Sequence, residues 1–146
     1  MESFYPAIWN ILHDGVIVAV DGVVPGTLRL DISIDYLRKR FVEPGDSIQV
    51  LLVGCTRFAY RQSAEEPFTA DLSAIAAERP EILSASMIDG SCEVECSDGV
   101  LEVVASDGSV RLDTGRAIML TELIEMTDSY WTEWNERAAK ARAKTP

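Results

Sequence analysis

One histidine, three cysteines and 13 basic residues are few for a chain of 146 residues. The lone His13 excludes any metal site built on two imidazoles, and His13-Asp14 supplies less than a Ser-His-Asp relay requires. Three cysteines form an odd set, which argues against a disulfide framework and for free thiols. The chain has no Cys-x-x-Cys knuckle, no Gly-x-Ser-x-Gly elbow and no glycine-rich phosphate loop at a strand-to-helix junction. No apolar run approaches the roughly 20 residues that a membrane helix needs. Met1–Pro6 lack the basic region and apolar stretch of a signal peptide. These absences together lead to the expectation of a cytoplasmic protein.

Acidic residues, by contrast, are abundant. Against 13 basic residues stand 24 acidic ones, a net charge of −11. The balance is uneven, because Arg137, Lys140, Arg142 and Lys144 all fall in the last ten positions, where no acid occurs. Residues 1–136 therefore carry 9 basic against 24 acidic groups, or −15. Such a field repels nucleic acid and anionic membranes and attracts a basic protein. A hydrophobic content of 47% with 25% charged residues is that of an ordinary globular chain, and 146 residues suffice to bury a core as a single domain, 1–146.

What the chain has most distinctively is a pattern written twice. Residues 14–31 run from Asp-Gly through a β-rich stretch to a second Asp-Gly, then a strand ending Leu-Arg-Leu-Asp. Residues 98–113 do the same, ending Val-Arg-Leu-Asp. Asp-Gly between apolar runs is a strong hairpin signal, because Gly accepts positive φ and Asp tolerates it. The expectation is two hairpins, which would make the two copies halves of a pseudo-symmetric sheet if they arose by duplication.

Other elements follow from periodicity and punctuation. Phe4 to Leu12 reads as a short helix or an extended arm. Val16–Val20 and Thr27–Ile34 read as a hairpin, with Leu28, Leu30, Ile32 and Ile34 on one face. Asp35 is placed to cap one or two helical turns, in which Arg38-Lys39-Arg40 form a solvated basic face too small to bind nucleic acid. Ser47 to Tyr60 is the longest strand candidate, apolar on both faces in its first half and so expected at a sheet centre, with Gly54 marking a bulge or bend. Residues 62–71 look like the linker between two halves. Asp71 then caps a helix through Ala77 that stops near Pro80. Strands near 83–88, 91–97, 99–105 and 109–113 form a meander with Asp-Gly turns, and Ala117–Leu120 adds one more. The i, i+3, i+4, i+7 spacing of Leu120, Leu123, Ile124, Thr127, Trp131, Trp134, Ala138 and Ala141 marks a C-terminal amphipathic helix starting near Thr121 or Thr127, with Trp131 and Trp134 as core anchors against the sheet.

The fold expected is therefore α+β: a predominantly antiparallel sheet of seven or eight strands, as a meander, partly open barrel or sandwich, with the C-terminal helix packed on it. That element order is similar to small barrels capped by a helix, such as pleckstrin-homology-like domains, a resemblance of order without a shared motif, and fold likeness transfers no function.

Few residues are candidates for chemistry. His13-Asp14-Gly15 is similar to the His-Asp pair of metal-dependent phosphohydrolases, whose further histidines this chain lacks. Cys92 and Cys96 share one strand face with Val94 but sit roughly 13 Å apart, too far for a disulfide. They read as small core residues, with a weak metal or redox alternative if Cys55 approaches. Arg57 interrupts an apolar strand, and is expected to face outward or to pair with an acid across the sheet. No acidic spacing pairs an acid with a base, so no catalytic residue, metal or cofactor is assigned. Low-level binding candidates are His13, Arg57 and Tyr60.

The expected function is that of a non-catalytic acidic interaction protein. One specific form is an immunity- or antitoxin-type protein that neutralises a basic protein partner. The alternative is a small-ligand-binding barrel, or an enzyme with a sparse site drawn from His13, Arg57 and Tyr60. That alternative requires a pocket where some of them converge.

Overall fold

A computed structural model describes residues 6–143 of the chain. Phe4 and Tyr5 of the expected N-terminal segment, and Lys144 of the basic end, lie outside the described residues. Among the described residues the fold is α+β, with nine strands in two antiparallel sheets and no closed barrel. The elements in chain order are α1 (Ala7–Ile11), β1 (Val16–Gly22), β2 (Gly26–Ser33), α2 (Asp35–Arg38), β3 (Ser47–Cys55), β4 (Arg57–Arg61), α3 (Leu72–Glu78), β5 (Ile82–Ile88), β6 (Ser91–Cys96), β7 (Gly99–Val104), β8 (Asp107–Leu112), β9 (Ala117–Ile118) and α4 (Leu120–Ala143). One sheet runs β1-β2-β3-β8-β9, the other β4-β7-β6-β5.

The first copy of the doubled pattern is a hairpin, β1 with β2. The second copy is not. Its two strands, β7 and β8, lie in different sheets. Asp107 and Gly108, expected as a turn, are extended residues of β8 that pair with Val53 and Leu52 of β3. Of the Asp-Gly dipeptides, Asp89-Gly90 alone has both residues at positive φ (51° and 81°), in the two-residue turn between β5 and β6. The two copies therefore do not form equivalent halves.

What joins the sheets is a bent two-stranded ribbon. The single long strand expected from Ser47 to Tyr60 divides at Cys55 into β3 and β4, one in each sheet. Its antiparallel companion divides in the same place, into β7 and β8. β4 pairs with β7 from Arg57↔Val104 onward, and β3 with β8 from Val53↔Asp107 onward. Gly54 takes φ +61° at the corner, where a Cβ would run into the Ser106 hydroxyl. Ser106 donates both its N–H and its hydroxyl to the Val53 carbonyl at 3.0 Å, and Thr56 N–H donates to Val104 O at 2.8 Å, so the two crossings are bonded to each other. Strands that switch sheets at a bend are a standard way to turn a corner between packed layers.

β3 is central in its sheet, between β2 and β8, but only one face is covered. Ile48, Val50, Leu52 and Cys55 are buried, whereas Leu51 is half-buried and Val53 exposed. The inward residues of both sheets join one hydrophobic cluster with Ile8, Trp9 and Leu12 from the α1 region, Leu37 of α2, Ile75 of α3 and Leu123 of α4. Asp71 caps α3, accepting from Ser73 N–H at 3.0 Å and Ala74 N–H at 3.2 Å. Such a cap contributes about 1 kcal/mol. β5 is an edge strand, and Asn10 of α1 meets it: its side-chain amide donates to Ala85 O (3.1 Å) and accepts from Ala85 N–H (2.9 Å).

The basic cluster at α2 is not a solvated face. Arg38 is 1% exposed. Its guanidinium donates to Asp113 Oδ1 (2.8 and 3.0 Å) and to the Glu43 carbonyl (2.6 Å). Asp113 also accepts from the N–H groups of Asp46 (2.8 Å) and Ser47 (3.2 Å). Burial by itself pushes the Asp113 carboxyl up, but these donors and the guanidinium together hold it below its usual value. Gly45 passes so close that a Cβ there would strike both Arg38 and Asp113. Arg40 lies over the Tyr130 ring and pairs with Glu133. Asp35 is the first residue of α2 rather than its cap, and Ile34 at the cap position makes no side-chain cap bond.

α4 starts at Leu120 and packs on the core through Leu120, Leu123 and Met126, beside α1 and α2. Its tryptophans are not core anchors. Trp131 is half-buried and Trp134 is 47% exposed. The apolar stripe keeps helical spacing beyond the point where the sheets and short helices end. No described helix is long and apolar enough to cross a membrane.

Candidate interaction surface

The three residues singled out as binding candidates, His13, Arg57 and Tyr60, occupy different surroundings. His13 sits in the turn before β1, with its ring stacked on Trp131 (centroids 5.6 Å apart, 14° between planes). Its Nδ1 lies 2.9 Å from the Asn10 carbonyl, which can only accept, so Nδ1 carries the proton. The His13 carbonyl accepts from the Tyr36 hydroxyl at 2.8 Å. Burial, then Asp14 and Tyr130, push that phenol up to about 12.

Arg57 and Tyr60 lie three residues apart in β4 and so point to opposite faces. Arg57 faces outward and pairs across the sheet with Glu102 of β7, at 2.8 Å through Nε and 2.7 Å through Nη2. Tyr60 points inward, is almost fully buried, and its phenol is pushed up to about 12, first by burial and then by Cys96, Glu78 and Asp98. It lines one wall of a groove of about 240 Å³ with Arg61, Thr69 and Glu78. Neither His13 nor Arg57 reaches that groove.

The expected linker, 62–71, is instead folded back on β4. Tyr60 and Thr69 exchange backbone hydrogen bonds at 2.8 and 2.9 Å. Phe68 lies under both Arg57 and Arg61, with guanidinium-to-ring distances of 5.1 and 4.5 Å. Cys55, Cys92 and Cys96 are buried free thiols. Burial pushes all three thiols up, Cys92 to about 11 and Cys96 to about 12. Among the described residues no group of three or more His, Cys, Asp or Glu is placed to hold a metal.

What stands out in the charge distribution is the outer face of the second sheet. Residues 57–107 hold 11 of the 24 acidic residues and 3 of the 13 basic ones, a balance of −8 within the total of −11. In β6, Cys92, Val94 and Cys96 point to the core, and Glu93 and Glu95 point outward. Glu93 stands directly opposite Glu102 of β7. Like charges opposite one another destabilise an antiparallel pair. Arg57 neutralises Glu102, while Glu93 and Glu95 have no ion-pair partner among the described residues. Ser84 and Ser86 of β5 continue the same rows, opposite Glu95 and Glu93. The result is a hydroxyl-flanked acidic face bordered on β4 by two cations, Arg57 and Arg61. Strand parity alone predicted which way Glu93 and Glu95 point. Their juxtaposition with Glu102 depends on the β6–β7 register, which the two-residue Ser97-Asp98 turn sets, Gly99 being already the first residue of β7 and paired with Cys96.

No family model matches the chain, and no curated protein matches it.

Proposed function

We propose that this protein is a non-catalytic interaction protein that uses the outer face of its second sheet to bind a basic protein partner, in the manner of an immunity or antitoxin protein. The observation that carries this reading is the unneutralised Glu93–Glu95 pair, set beside Glu102 on the outer face of the second sheet. Glu93 and Glu95 stand two positions apart on one strand face with no ion-pair partner among the described residues, and a cationic partner would relieve their repulsion. A low-dielectric interface would strengthen the attraction and raise the association rate. The separation of His13, Arg57 and Tyr60 weighs against the alternative of one small-molecule site built from them.

The test is affinity capture from native cytosol at low and moderate salt, followed by titration of the purified partner. The wild-type chain should retain a basic protein with salt-sensitive affinity. Glu93→Lys with Glu95→Lys should weaken that affinity by about tenfold or more. Both side chains are on the wet face, so the variant should keep the wild-type melting temperature to within a few degrees. Recovery of no partner at either salt, or equal binding by the double variant, would count decisively against this function.

A further inference from the structure

From the far half of α4 we infer that this helix pairs antiparallel, about a two-fold axis, with α4 of a second copy of the chain. Every residue from Thr132 to Ala143 except Ala138 is exposed. An unpacked extension of about three turns is marginal in water, since most helical stability comes from burying an apolar face. An apolar stripe of α4 runs onto this extension: Ile124 and Trp131 precede it, and Trp134, Ala138 and Ala141 continue it at helical spacing, with Ile124 and Trp134 among the exposed large hydrophobic residues.

Two independent complementarities choose the occupant and its direction. The first is charge. Within α4, Glu122, Glu125, Asp128, Glu133 and Glu136 precede Arg137, Lys140 and Arg142, with no basic residue in the first group and no acid in the second. Glu122 and Glu133 are engaged by Arg116 and Arg40, which leaves Glu125, Asp128 and Glu136 on the helix surface without an ion pair among the described residues. An antiparallel pair lays the basic end of each helix along the acidic stretch of the other. A parallel pair would stack like on like.

The second is size. Along the stripe, two large residues, Trp131 and Trp134, precede two small ones, Ala138 and Ala141. With the axis beside residue 136, Trp134 faces Ala138 of the second copy and Trp131 faces its Ala141, and each contact is repeated by symmetry. The same register sets Asp128 near Arg142 of the second copy. Large against small in every layer is how packed interfaces interdigitate. Parallel pairing would instead place indole on indole and methyl on methyl. Because the contact is isologous, it closes at two copies and does not propagate.

Sedimentation equilibrium of the full chain, from about 5 to 200 μM, tests this. The apparent mass should rise with concentration from 16.1 kDa toward twice that value. Ala138→Trp, which puts a second indole opposite Trp134, should weaken association at least about tenfold. Trp134→Ala combined with Ala138→Trp exchanges the large and small positions and should restore association to within about threefold of wild type. Ala138 lies outside the core cluster, so all three chains should keep a folded body, and the far-UV circular dichroism of the single variant should lose no more than the helical signal of the three-turn extension. A chain that stays monomeric, including one whose helix binds a lipid vesicle or another protein's helix instead, overturns the inference. So does an Ala138→Trp chain that associates as wild type, or a double variant as weak as the single one.

Discussion

Asp113→Ala should lower folding stability by about 3–5 kcal/mol, the usual result of stripping the partner from a buried charge. The loss comes from what is left behind. Arg38 would keep its charge at 1% exposure with one remaining acceptor, the Glu43 carbonyl, and the N–H groups of Asp46 and Ser47 would lose theirs. Arg38→Met should be milder, because Asp113 is partly solvated and keeps both backbone donors. Replacing both, as Arg38→Met with Asp113→Leu, should recover much of the loss, since an apolar pair leaves no charge unpaired. Urea unfolding followed by circular dichroism orders the three variants. An Asp113→Ala chain within 1 kcal/mol of wild type, or less damaged than Arg38→Met, would show that the pair does not act as a buried unit.

The same group sets a pH dependence whose sign is determined. Asp113 has a folded value below its ordinary one, so its contribution is complete above the unfolded value of about 3.9 and fades as pH falls through the folded value. Glu43, held down by hydrogen bonds from Arg116 and its own backbone, and Glu133, held down by Arg40, lose stability in the same direction. The Asp113 share is therefore the difference between wild type and Asp113→Ala. That difference should be constant from neutral pH to about 5 and shrink below about 4. A difference that grows on acidification would reverse the sign and refute the assignment.

Trp9→Ala should have a comparable effect, about 3–5 kcal/mol, by the different route of an unfilled cavity. Trp9 is fully buried in α1, in the part of the core that joins α1 to β5. Its indole nitrogen, however, is buried without a hydrogen-bond partner among the described residues. An orphan donor carries a penalty of about 1–3 kcal/mol, so Trp9→Phe removes a cost along with volume. The phenylalanine variant should lose less than half of what the alanine variant loses. Thermal melts of the two variants give the comparison. Equal losses would mean that ring volume alone matters at this position.

Elements whose cause is local were legible in the sequence, and those whose cause is distant were not. Period-2 alternation placed β2, and the Asp71 cap placed α3, because each rests on neighbours a few residues away. Parity gave the facing of Cys92, Glu93, Val94, Glu95 and Cys96. The expectation of a hairpin at Asp107-Gly108 failed because pairing with β3, more than 50 residues earlier, outweighs a dipeptide's turn preference. Arg38 looked solvated because the acid that pulls it inward lies 75 positions further along the chain. Trp131 and Trp134 had the spacing of core residues, but periodicity records which side of a helix is apolar and says nothing about where the body beneath it stops. The acidity of the second sheet could be counted from the sequence, whereas the opposition of Glu93 and Glu102 needed the strand register.

The bidentate contact of Asn10 with Ala85 bears on how the protein behaves when crowded. An exposed edge strand is a template onto which another chain can add by backbone pairing. At β5 the neighbouring side chains, Met87 (48% exposed) and Ile88 (46%), are of the kind that reward such addition. Asn10 fills the donor and acceptor of Ala85 with its own amide, a one-residue imitation of the missing strand. A short helix thereby acts as a chain terminator for sheet growth at Ala85, while Asp14 and Gly15 close the start of the same edge by exchanging backbone hydrogen bonds with Ile82.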